Sequence, residues 1–66
     1  MVKVVYLSLN KYRRKYNDVL RKKLESNGIG YEERSGKYGW NLFVKSEDVN
    51  KANRIILSIS LTNPKY

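Results

Sequence analysis

Among the 66 residues there is no cysteine and no histidine. The first absence excludes a disulfide framework. Together they exclude an ordinary zinc site and the Ser-His-Asp and Cys-His constellations of nucleophilic catalysis. Glycine is sparse, at Gly28, Gly30, Gly36 and Gly39, and neither GxxxxGK[ST] nor GxGxxG spacing arises. The usual glycine-rich cradles for nucleotide phosphates are therefore missing. No apolar run is long enough to span a bilayer or to form the core of a secretory signal, which leaves a cytoplasmic setting as the expectation. Acids are also few: six Asp and Glu face fourteen Lys and Arg, a formal charge of +8.

What is present points to a folded unit. A hydrophobic content of 41% with 12% aromatics is too rich for a disordered basic tail. Residues 1–66 show no repeat or linker and are taken as a single α/β domain, whose short chain buries only about 60% of its unfolded surface. Val2 to Leu9 is rich in β-branched residues and is bounded by Asn10, which predicts a strand. Alternation sets Val2, Val4 and Tyr6 against Val5, Leu7 and Leu9, so both faces expect cover.

Residues 11–26 switch to a helical period, with Tyr12, Tyr16, Val19, Leu20 and Leu24 inside roughly 140° of arc. Asn27-Gly28 ends the segment. Asn17, followed by Asp18, offers an alternative start for a shorter helix. Ile29 to Arg34 and Trp40 to Lys45 are strand candidates joined by a hairpin over Ser35-Gly36-Lys37-Tyr38-Gly39. Trp40, Leu42 and Val44 share one face, and Asn41, Phe43 and Lys45 the other. Ser46 is a natural N-cap with Glu47 and Asp48 in the first turn. Behind it Val49, Ala52, Ile55, Ile56 and Ile59 form an apolar stripe of about 120°. Leu57 and Leu61 fall off that stripe, and Pro64 argues against helix in the tail.

The order β-α-β-β-α predicts an α+β two-layer sandwich: a three-stranded sheet with two helices on one face, ferredoxin-like but lacking the last strand. Its expected core is Val5, Leu7, Tyr16, Val19, Leu20, Leu24, Ile29, Leu42, Val44, Ala52, Ile55, Ile56 and Ile59, with Tyr12 and Trp40 sharing the apolar period. Leu24-Glu25-Ser26-Asn27-Gly28-Ile29, followed by Val44, Asp48, Ala52 and Ile55, resembles the small prokaryotic signal-transducing domains related to the ACT and PII folds. The likeness spans residues 20 to 56. It implies ligand sensing or protein contact, and no site residue carries over from it.

The acids do not form a catalytic set. Glu47 and Asp48 suit a helix N-terminus, Glu32 and Glu33 point to opposite faces of a strand, and Asp18 and Glu25 are spaced among bases. The expectation is a protein that is not an enzyme and needs no cofactor or metal. The informative feature is the first helix, where Lys11, Arg13, Arg14, Lys15, Arg21, Lys22 and Lys23 face Asp18 alone and hold +6 of the net +8. The spacings Arg14-Asp18-Lys22 and Arg21-Glu25 suit surface ion pairs of about 0.2–0.5 kcal/mol each. Yet four cations stand in the first turns, where the macrodipole disfavours each by roughly 0.3–1 kcal/mol.

Such a block attracts phosphate backbones whatever their base sequence. The expectation is nucleic-acid binding, DNA or RNA, by Lys11, Arg13, Arg14, Lys15, Arg21 and Lys22, with Lys37 and Tyr38 of the hairpin loop adding a contact. Tyr31, Tyr38, Phe43 and Tyr66 are the less clearly buried aromatics, and Phe43 with Tyr6 could offer bases a platform on the open sheet face. The alternative is a protein-interaction or ligand-sensing module. It would dock an acidic protein surface or pair as a homodimer through the first strand or the open sheet face, or inhibit a host protein as small phage products do.

Overall fold

The computed structural model describes the backbone of residues 1–62 and the side chains of residues 1–59. The Leu61 side chain, Pro64 and Tyr66 lie outside the described residues. Five main elements follow in order: β1 (Val2–Ser8), α1 (Arg14–Ser26), β2 (Tyr31–Ser35), β3 (Gly39–Val44) and α2 (Val49–Thr62). Short 3₁₀ turns, Lys11–Arg13 and Ser46–Asp48, lead into the two helices.

The sheet order is β1-β3-β2 with both pairings antiparallel, so β1 and β2 run parallel on either side of β3. This is the α+β arrangement expected, a small ferredoxin-like sheet without its last strand. Leu7, Leu42 and Val44 from one sheet face join Tyr16, Leu20, Leu24, Ile29, Ala52 and Ile59 in a single buried cluster, which places both helices on that face. Val5, Val19, Ile55 and Ile56 pack against it half-buried. Among the described residues no helix is long and apolar enough to cross a membrane.

Where α1 stops, the chain explains itself locally. Gly28 takes φ of +70°, its N–H donates to Glu25 O at 3.0 Å, and Ile29 N–H donates to Leu24 O at 2.9 Å. That is a Schellman motif, with Leu24 and Ile29 both buried as its apolar contact. Six of the ten residues on which the expected resemblance rests are thus the residues of a helix stop. Because Ile29 belongs to it, β2 begins at Tyr31 instead. The Tyr31 hydroxyl donates to Glu25 Oε1 at 3.0 Å, and burial together with that bond pushes the phenol pKa up.

Several local expectations are corrected. Residues 11–13 form a 3₁₀ turn capped by Asn10, and its three-residue period turns Tyr12 off the apolar stripe, leaving it 72% exposed. Asn17 starts no helix; it is buried within α1. Ser46 is not a cap but the first residue of its 3₁₀ turn, behind Lys45, with no side-chain cap bond. In β1 the register slips between Lys3 and Val5, so Val2 pairs with Val44 and joins the face of Val5 and Leu7. A bulge of one residue exchanges faces for everything before it. Leu57, off the α2 stripe, is exposed.

Candidate functional site

The basic segment begins where β1 ends, and hydrogen bonds fix how it leaves the sheet. Asn10 N–H donates to Ser8 Oγ at 3.1 Å, and Asn10 Oδ1 accepts from Tyr12 N–H at 2.9 Å. Arg13 N–H donates to Asn10 O at 2.8 Å and closes the turn. The β2–β3 loop arrives at the same end. Leu9 N–H donates to Tyr38 O at 3.0 Å, and Tyr38 N–H donates to the Tyr6 hydroxyl at 2.9 Å.

These bonds tie the loop that carries Lys37 and Tyr38 to the end of β1, two residues before Lys11, although more than twenty residues separate Leu9 and Lys37 in the chain. Tyr12 and Tyr38 (68% exposed) stand in solvent with a cation over each ring. Lys11 Nζ is 5.2 Å from the Tyr12 centroid and Lys37 Nζ is 5.3 Å from that of Tyr38. Arg13 lies 4.2 Å above Tyr16. Exposed cation–π contacts contribute about 0.5–1 kcal/mol, so they orient the charges without neutralising them.

No acid occupies the first turn of α1, and Arg13 at its N-cap makes no side-chain cap bond. The helix macrodipole therefore disfavours Arg13 and Arg14 at its start. Among the described residues the ion pairs are Arg21–Asp18, Arg21–Glu33 and Arg34–Glu32. Lys11, Arg13, Arg14, Lys22 and Lys37 have no carboxylate in that set.

Arg21 is different. Its Nε and Nη2 donate to Glu33 Oε1 at 3.1 and 2.7 Å, and Nη1 reaches Asp18 Oδ1 at 3.3 Å. The hydrogen bond to Glu33 outweighs partial burial and raises the guanidinium pKa. Arg21 thereby ties α1 to β2, across twelve residues of sequence. The expected pairs Arg14-Asp18-Lys22 and Arg21-Glu25 do not form: Asp18 takes Arg21, and Glu25 takes the Tyr31 hydroxyl. Lys15 and Lys22, seven residues apart, lie about 20° from each other around the outer face of α1.

The open sheet face is less available than its aromatics suggest. The Arg34 guanidinium covers the Phe43 ring at 4.5 Å while paired to Glu32 at 2.7 Å. Lys3 Nζ lies 5.8 Å from the Tyr6 centroid, and the Tyr6 hydroxyl is engaged by the loop.

Two residues that the sequence reading did not select shape a cleft of about 360 Å³ beside the basic end. Its walls include Ser8, Arg14, Asn17, Asp18, Arg21 and Trp40. Trp40 was expected in the core, and it does share the face of Leu42. At that end α1 presents Asn17 and two arginines rather than apolar side chains, so the indole stays 37% exposed. Asn17 is only 6% exposed; its Nδ2 donates to Ser8 O at 2.9 Å and staples α1 to the end of β1. Its Oδ1 is buried with no partner among the described residues, a cost of about 1–3 kcal/mol. An asparagine beside Tyr16 and three before Leu20, on an otherwise apolar stripe, was the available signal. No protein-family model, curated protein or solved structure matches the chain.

Proposed function

We propose that the protein binds nucleic acid without catalysis, holding phosphates at the basic end formed by Lys11, Arg13, Arg14, Lys37 and Tyr38, with Lys15 and Lys22 extending the surface along α1. The observation that carries this reading is the attachment of the hairpin loop at Leu9, two residues before the 3₁₀ turn that leads into a helix with no acid in its first turn. An anion there relieves both the mutual repulsion of the cations and their conflict with the macrodipole. Arg21 serves as a brace between α1 and β2.

The salt dependence of binding tests it. Five cations free of carboxylates, each releasing a counterion, set a log–log slope of about −4.5 on duplex DNA and about −3.5 on a single strand. Replacing Lys11, Arg13 and Lys37 by glutamine should flatten the single-strand slope by about 2. Removing three cations near the start of α2, Lys45, Lys51 and Arg54, should change it far less. Equal losses from both triple variants would mean that net charge, and not this end of the molecule, governs binding.

Glu33→Gln separates stability from binding. It weakens the brace, at a cost of about 1 kcal/mol for a half-buried, charge-assisted hydrogen bond after screening. It also frees Arg21, so affinity for an oligonucleotide at low salt should rise severalfold. Urea midpoints and fluorescence anisotropy read the two effects, and an unchanged midpoint would remove the assignment of Arg21 as a brace.

A second reading has one observation in its favour: β1 stands at the sheet edge among the described residues and could pair with a second copy. The slip between Lys3 and Val5 and the Lys3 side chain weaken that edge. A dimer by light scattering that ignores nucleic acid would favour this reading.

A further inference from the structure

We propose that the cleft beside Trp40 receives one unpaired nucleobase of a single-stranded nucleic acid. This rests on the reading of the basic end as a phosphate surface and adds what that reading lacks, a reason to prefer unpaired strands. The cleft measures about 360 Å³, within the range of small-ligand sites. Its wall holds a partly exposed indole, and a flat aromatic surface left uncovered in a polar cleft suits the face of a base. Arg14, in the same wall, has no carboxylate partner in the described ion pairs and lies one residue beyond Arg13 of the basic end. A backbone phosphate on Arg13 or Arg14 therefore leaves its base next to Trp40.

Apart from Leu9, the rest of the wall is polar. Asn17 cannot turn freely because Nδ2 is held by Ser8 O, and its Oδ1 is a buried acceptor that no described protein group satisfies. Asp18 adds a carboxylate of which only Oδ1 is engaged, by Arg21. The unengaged Asp18 oxygen at the edge and an indole at the face match a base that carries an exocyclic amino group, such as adenine or cytosine. In a duplex that face is stacked and that edge is paired, so the cleft is closed to it.

Trp40 is the sole tryptophan, so its fluorescence reports this cleft alone. The native protein is titrated with an oligodeoxyadenylate, with an abasic oligonucleotide of equal length, and with a duplex. The expected result is quenching of Trp40 by the oligodeoxyadenylate only, with about tenfold tighter binding than the abasic strand, or about 1.4 kcal/mol. Trp40→Leu, checked for folding by circular dichroism, should erase that tenfold difference while abasic binding persists. Equal affinity for the two single strands without quenching overturns the base cleft and leaves the phosphate surface standing. Failure of every strand to bind overturns both.

Discussion

Gly39→Ala is expected to cost about 3 kcal/mol or more and to leave much of the protein unfolded at 25 °C. A Cβ on Gly39 would meet the Leu7 carbonyl oxygen well inside contact distance, with Leu7 C and Ser8 Cα each at 3.0 Å. All three atoms belong to the backbone of β1, so no rotamer change makes room. The φ at Gly39 is not positive, and the requirement is one of space alone. Overpacking typically costs 1–3 kcal/mol, and here relief demands separating two paired strands at Ser8 and Gly39. A domain of this length has roughly 3–10 kcal/mol in total. Gly30→Ala is the matched control, since nothing lies within 4 Å of its Cβ, and it should stay within about 0.5 kcal/mol of the native protein. Urea denaturation followed by circular dichroism compares them. Matching midpoints for the two variants would show that β1 and β3 need no such close approach.

That requirement shows where sequence reading works and where it stops. The hairpin was predicted from two glycines in five residues, and the hairpin is there. The glycines, however, serve proximity: Gly39 lies against Leu7, and a Cβ on Gly36 would come within 3.0 Å of the Tyr6 ring. A turn is a local property, whereas the strand that passes behind it is not. The same division holds elsewhere. The α2 stripe and the Leu24–Ile29 stop are written within a few residues, so their buried members were legible. The β1 slip, the Arg21–Glu33 brace and the exposure of Trp40 depend on which element lies opposite, and periodicity carries no record of that. For the candidate site, the density of cations was plain in the chain. Missing was the attachment of the Lys37–Tyr38 loop to the end of β1, just ahead of the basic turn, which rests on Leu9 and Tyr6 contacting the loop. Asn17 is visible as a polar interruption of an apolar stripe, a pattern that equally suits the alternative start of a shorter helix.

Leu42→Ala should cost about 2–5 kcal/mol, and it distinguishes a gathered surface from a merely charged chain. Leu42 is fully buried in β3, opposite Val5 of β1 and Glu33 of β2. Strands on both sides hold β3, so the cavity cannot close by moving it. Leu57→Ala, at a side chain 60% exposed, should change stability by no more than about 0.5 kcal/mol. The core variant keeps every cation. If affinity depends on the fold bringing Lys37 to Lys11 and Arg13, a single strand binds the folded form and draws the variant back to it. At a hundred times the dissociation constant that linkage contributes about 2.7 kcal/mol, enough to offset much of the loss. Circular dichroism at low salt, with and without an oligonucleotide, should therefore show the variant regaining native secondary structure. A variant that binds as tightly as the native protein while remaining unfolded would reduce the surface to a polycation. The arrangement at the end of the sheet would then have no part in binding.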